Sequence, residues 1–309
     1  VNDIPITANK EFTGVVSGFS FTVDSLDFDD IDDTDLEVVL VPSTGVTIFS
    51  GSIEETAGTF TYTKGLSEDV DYIFYKVRDS QSESEISLIT LNHSSSLART
   101  DVGANKQTVA VSDSIVIMED TPTLLTFIGA EVSDDGTLID ETGSLVTITS
   151  DCKNGSLGAF GSAVPDGQLI RWSATYTPDE NFSGLDSIGY VFNNPNNDIN
   201  GGSSEEAYLY LTINSVNDPP QSSAILDQTV SEGGILNIPL SISSLDPDND
   251  LSYSITSTAI GDVFVDSHAS DVLTLDFSAS NYNGTFDVSI IYTETSGELL
   301  QATDVFSVT

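Results

Sequence analysis

Two strand patterns, one after the other, occur three times along this chain of 309 residues, and that recurrence restricts the fold more than any other feature. Phe60-Thr-Tyr62-Thr, Ala174-Thr-Tyr176-Thr and Leu275-Asp-Phe277-Ser each set an aromatic in a short β-favouring segment. Strict alternation follows in every case: Ile73, Tyr75 and Val77, then Ile188, Tyr190 and Phe192, then Val288, Ile290 and Tyr292. Alternation with period two turns one face of a strand to a core and the other to water. A further alternating segment closes each copy, at Ile86 to Leu91, Ala207 to Ile213 and Asp304 to Val308. One copy spans about 100 residues, the length of a Greek-key β-sandwich.

The expected fold is therefore all-β: three tandem sandwiches arranged end to end, at 1–92, 108–216 and 217–309, with a linker at 93–107. The composition agrees. Ser, Thr, Val, Ile, Asp and Gly dominate, and there is no long segment of helical period. A lone Cys152 excludes an intrachain disulfide framework and reads as an inert thiol. Val1 is not a methionine and reads as a cut inside a longer chain.

Charge narrows the function. Aspartate and glutamate number 49 against 8 lysines and arginines, a formal net charge of −41, and no lysine or arginine follows Arg171. Nucleic acid and anionic membrane surfaces would repel such a chain, and no run approaches the roughly 18 apolar residues of a membrane span. Many of the acids stand in short clusters, Asp27-Phe-Asp29-Asp-Ile-Asp-Asp-Thr-Asp35 and Asp246-Pro-Asp248-Asn-Asp250. Clustering of this kind points to bound divalent cations, calcium first, which takes six to eight oxygen ligands. Adaptation to concentrated salt explains the total charge but not the clusters.

The junction of copies two and three concentrates oxygen donors. Ser215-Val-Asn217-Asp218-Pro-Pro220 is stiffened by its prolines. Asp246 to Asp250 is expected in a loop at the same end of copy three, while Ile117-Met-Glu119-Asp-Thr-Pro122 and Gly184-Leu-Asp186 are expected at the outgoing end of copy two.

The combination of Val216-Asn-Asp-x-Pro, Met118-Glu-Asp-x-Pro, Tyr176-Thr-Pro-x-x-Asn-Phe-x-Gly and Asp246-x-Asp resembles the cadherin-like tandem repeats of large bacterial surface and biofilm adhesins, many of them exported by type I secretion. The resemblance covers copies two and three well and copy one moderately. It implies Glu119, Asp186, Asn217, Asp218, Asp246 and Asp248, with Asp250 beside them, as calcium ligands of the second joint. For the first joint it implies Glu11, Asp71, Asp113, Asp134 and Asp135, although the Val-Asn-Asp-x-Pro motif is missing there. Asn2 and Asp3, with Asp27 and Asp29, would serve a joint before copy one. Copy three has Phe286 where copy two has Asp186, so its outgoing end is expected to hold fewer ions, through Glu232.

Catalysis is not expected. His93 and His268 lie in different copies with no nucleophile motif near either. Trp172 reads as a core aromatic before it reads as a sugar platform. The resulting expectation is a calcium-stiffened, extracellular, cell-surface adhesin or spacer. Its partners would be neighbouring repeats of its own chain, identical chains, or surface glycans. The alternatives are a self-assembling filament subunit and a carbohydrate-binding appendage of a secreted enzyme.

Overall fold

The structure, a computed structural model, describes residues 4–30, 35–41, 51–65, 70–93, 106–133, 145–194, 202–243, 253–257, 265–269, 272–294 and 300–309. Among them there is no α-helix. One 3-10 turn, Val23–Ser25, interrupts an otherwise all-β chain. The chain divides into two compact units, the first comprising Val1–Ile117, Thr121–Asp179 and Gly184–Ile213, the second Met118–Asp120, Glu180–Ser183 and Asn214–Thr309.

In the first unit, strands Lys10–Thr13, Ser87–Asn92, Val70–Arg78 and Glu37–Leu40 form a sheet in that order, its first pair parallel. It faces a sheet of Phe19–Thr22, Thr59–Thr63 and Ser52–Thr56. Phe21, Phe60 and Tyr62 from one sheet meet Ile73, Tyr75 and Ile89 from the other in a common core. Each such side chain contributes about 1.5–3 kcal/mol by leaving water.

A second pair of sheets follows. Lys106–Ala110, Thr123–Ser133, Leu169–Pro178 and Gly155–Leu157 lie in that order, with Val164–Asp166 also paired to Leu169–Pro178. Opposite them are Asp113–Met118, Ala207–Asn214, Gly184–Asn193 and Leu145–Ser150. Their inner faces meet through Phe127 on Tyr190 and Trp172 on Phe192, with ring centroids 5.2 Å apart in both pairs. Trp172 is thus a core residue, 4% exposed.

Alternation in copy one leaves less to water than expected. Val70–Arg78 is buried over eight of its nine residues. Ile73, Tyr75 and Val77 enter the sandwich core, but Tyr72 and Phe74 enter a separate apolar cluster with Ile128, Ala130, Val132 and Leu169. That cluster joins the two pairs of sheets within the first unit. Polar contacts frame it: Gln168 Nε2 donates to the Tyr72 hydroxyl at 3.0 Å, and Arg171 donates to the Ile86 carbonyl at 2.6 Å. Lys76 is ion-paired with Asp113 at 2.5 Å. The cause lies in the sequence: Val70-Asp-Tyr-Ile-Phe-Tyr-Lys-Val77 is nearly continuous in large side chains, the pattern of a strand covered on both faces.

In the second unit, Ile235–Pro239, Val272–Asp276 and Val265–Ala269 form one sheet, and Tyr253–Ser257, Phe286–Glu294 and Gln301–Val308 another. Leu273, Leu275, Val288, Ile290 and Phe306 fill the core between them.

Candidate cation site

Glu119 follows directly on the strand Asp113–Met118. Its backbone N–H still donates to Asn214 O at 2.9 Å, as strand pairing would have it. Its side chain turns inward, and the residue is 1% exposed. Oε1 accepts the Val216 N–H at 2.8 Å, which ties the carboxylate to the Ser215–Pro220 segment. Oε2 is buried without a hydrogen-bond partner among the described residues. The chain then turns sharply: Asp120 sits at φ 55° and accepts the N–H of Asn181, itself at φ 57°, at 2.9 Å. Short polar side chains tolerate this left-handed region best after glycine.

Asn217 is held from the other side. Its Nδ2 donates to Glu294 Oε2 at 2.9 Å, and the Leu300 N–H donates to the same oxygen at 3.3 Å. Sequence reasoning missed Glu294. The signal was available, since Glu294 ends the strand Phe286–Glu294, whose direction brings its last residues to the end of the sandwich where the chain enters. Asp218, next in the same segment, is half-buried.

A carboxylate this deeply buried carries a desolvation penalty of several kcal/mol unless its charge is matched. Among the described residues, one oxygen of Glu119 meets a single amide and the other no hydrogen-bond donor. Glu119, Asp120, Asn181, Val216, Asn217, Asp218, Glu294 and Leu300 all belong to the second unit. Among the described residues, no group of three or more His, Cys, Asp or Glu side chains stands together as a ready metal cage. Asp246, Asp248, Asp250, Asp134, Asp135, Asn2 and Asp3 lie outside the described residues.

The other expected ligands have partners within the protein. Asp186 accepts the N–H groups of Lys153, Asn154 and Ser187 and the hydroxyl of Tyr176, at 2.8 to 3.1 Å. Burial alone would raise its pKa, but these donors outweigh burial and hold the carboxyl below the usual aspartate range. Asp71 repeats the arrangement in copy one, with Oδ2 accepting from Tyr62 OH at 2.8 Å and Gly51 N at 2.9 Å. Each knot has a glycine pressed against the tyrosine ring. A Cβ on Gly51 would run into Tyr62, and one on Gly155 would lie 2.6 Å from the Tyr176 hydroxyl oxygen. In copy three both polar members are gone, and Phe277 and Phe286 stand in their places with ring centroids 6.0 Å apart. The Asp186-to-Phe286 change noted in the sequence is therefore half of a paired exchange, Tyr with Asp for Phe with Phe.

The remaining acids are engaged more simply. Asp113 is ion-paired with the buried Lys76, and burial pushes its carboxyl up in spite of that lysine. Glu11 Oε1 accepts from Asn92 Nδ2 at 3.2 Å. Asp27 pairs with Lys10 at 2.9 Å on the surface, and Asp29 is exposed.

Residues 105–206 match the family model of a bacterial Ig domain. The resemblance to bacterial cadherin-like repeats is supported there by an Ig-like bacterial domain, and the sandwich architecture is shown by the sheets themselves. Among solved structures, the chain is similar to mouse cadherin-23 EC22-24, at 14% identity and a TM-score of 0.42, covering 100% of this chain and 98% of that one. Protocadherin gamma C5 EC1-3 gives 11% identity and a TM-score of 0.43, with 99% of each chain covered. The human desmocollin-1 ectodomain gives 13% and 0.40, covering 98% of this chain, which spans 59% of the desmocollin ectodomain's length. No curated protein matches the chain.

Proposed function

We propose that this chain is a calcium-stiffened segment of an extracellular adhesin, a run of sandwiches that projects a binding surface away from a cell. The observation that carries the reading is Glu119: a buried carboxylate, bonded to the backbone of the Ser215–Pro220 segment through Oε1 and left with an unmatched Oε2. Hard oxygen donors of this kind suit calcium. The residues that would hold the ion are Glu119, Asn217 and Asp218, with Asp246, Asp248 and Asp250 as further donors from copy three. Asp186 contributes by fixing the 151–155 loop rather than as a ligand, because its oxygens already serve four donors.

Bound calcium would supply positive charge to a segment that has no lysine or arginine of its own. An ion that binds only the ordered arrangement stabilises it by linkage. The match to a bacterial Ig domain supports a structural or adhesive role over catalysis, and neighbouring repeats of the same longer chain are the first partners.

Calorimetric titration of the full chain with calcium tests this. Saturable binding that loses about tenfold or more in affinity in Glu119→Gln is expected. Identical titrations for the two proteins overturn the assignment of Glu119.

A further inference from the structure

We propose that the open face of the sheet containing Ala207–Asn214, Gly184–Asn193 and Leu145–Ser150 binds a neutral polysaccharide, with the paired rings of Tyr208 and Tyr210 as its platform. The inference stands apart from the calcium reading and uses none of its residues.

The two rings lie side by side along one strand, centroids 5.8 Å apart and planes 23° from parallel. Tyr210 is 51% exposed. Tyr208 is fixed from below and from its tip. Its ring crosses Gly189, where an added Cβ would stand 3.0 Å from Tyr208 Cε1. Its hydroxyl donates to Glu206 at 2.6 Å, and Glu206 also accepts from Thr149. A held aromatic loses little entropy on binding and offers an apolar ring with a polar rim. Across the ladder, Tyr210 faces Ser187 and Tyr208 faces Gly189, so the residue opposite each ring is small.

Copy one shows what the same face does when it is built to be covered. There the corresponding pairs are Tyr72 with Thr90 and Phe74 with Leu88, and Tyr72, Phe74 and Leu88 are buried in the apolar cluster. In copy two the bulk moves to the neighbouring strand and becomes two tyrosines, and the face lies open, with Leu185 75% exposed.

Charge selects the occupant. The outward positions of the three strands hold Tyr, Thr, Ser, Leu, Val, Gly and Asn, and the carboxylate beside them, Glu206, already accepts from Tyr208 and Thr149, in a chain of net charge −41. An anionic glycan or nucleic acid is repelled by the rest of the molecule. A cationic partner finds far more acid in the loops than on this face, where Glu206 is already bonded to two hydroxyls. A neutral polyol is the class that stacks its C–H faces on tyrosine rings while its hydroxyls bond to Tyr, Ser and Thr.

Affinity electrophoresis of the full chain through native gels cast with hydroxyethylcellulose, laminarin or galactomannan, and with alginate as the anionic control, tests the proposal. Retardation in at least one neutral polymer is expected, with dissociation constants raised about tenfold in Tyr210→Ala. The exposed ring can be removed without opening a core, and circular dichroism checks that the variant folds. The proposal is overturned by no retardation in any neutral gel, by equal retardation of the variant, or by retardation in alginate alone. Light scattering that shows dimers abolished by Tyr210→Ala would assign the face to a second copy of the chain instead.

Discussion

Two regions of this molecule fasten the chain to itself by opposite chemistry. Within the first unit, Tyr72, Phe74, Ile128, Ala130 and Val132 close an apolar cluster that needs nothing from solution. In the Ser215–Pro220 segment the corresponding work falls to hydrogen bonds from Val216 to Glu119 and from Asn217 to Glu294, and Glu119 Oε2 is buried with no hydrogen-bond partner among the described residues. Burial of apolar surface is indifferent to dissolved ions, whereas buried carboxylates depend on what neutralises them. On the proposed calcium reading, the first of these connections is permanent and the second conditional.

The comparison is broken most directly by attacking the permanent side. Phe74→Ala removes a fully buried ring from the cluster and is expected to destabilise the first unit by about 3–5 kcal/mol, read as a lowered urea midpoint. The loss should be the same in calcium and in chelator. A loss that appeared only in chelator would show that the apolar connection also depends on an ion.

A smaller effect is expected at the tyrosine–aspartate knots. Asp186→Ala leaves three amides without their acceptor and the Tyr176 hydroxyl with the Asn154 carbonyl, a loss of about 2–3 kcal/mol. The double replacement Tyr176→Phe with Asp186→Phe, which copies the pair found in copy three, should recover part of that loss, and a double-mutant cycle measures the coupling. Additive single effects would mean that the two residues do not act as a pair.

The same knot sets a pH dependence. The Asp186 carboxyl is held below its ordinary value, so its contribution is complete above the unfolded aspartate pKa of about 3.9 and is lost as pH falls through the lower folded value. Wild type and Asp186→Asn should therefore differ in stability at pH 7 and converge on acidification below about pH 4. At the low end, Lys10→Ala removes an exposed ion pair with Asp27 and should change stability by less than about 1 kcal/mol. That loss should shrink further in high salt.

The strands were legible in the sequence because alternation and aromatic placement are local. Ile188, Tyr190 and Phe192 fall inward as their period requires. The double burial of Val70–Arg78 was legible in principle, from a run too apolar to have a wet face, although the alternation of Ile73, Tyr75 and Val77 by itself implies one buried face. The site was less legible, for a physical reason. An aspartate at the end of a sandwich has the same sequence signature whether it binds an ion or holds a loop, and only the donors around it decide. Asp186 has four such donors and Glu119 has one. Glu294 escaped because its role depends on which strand end meets the entering segment, a matter of topology that spacing does not show.

Hydrogen exchange of the full chain, followed by mass spectrometry in millimolar calcium and in chelator, puts both regions in one experiment. The account predicts that protection at residues 117–120 and 214–218 falls by tenfold or more when calcium is withdrawn, while 70–78, 87–92 and 126–132 exchange at unchanged rates. Unchanged protection at 214–218, or an equal loss in both regions, would contradict it.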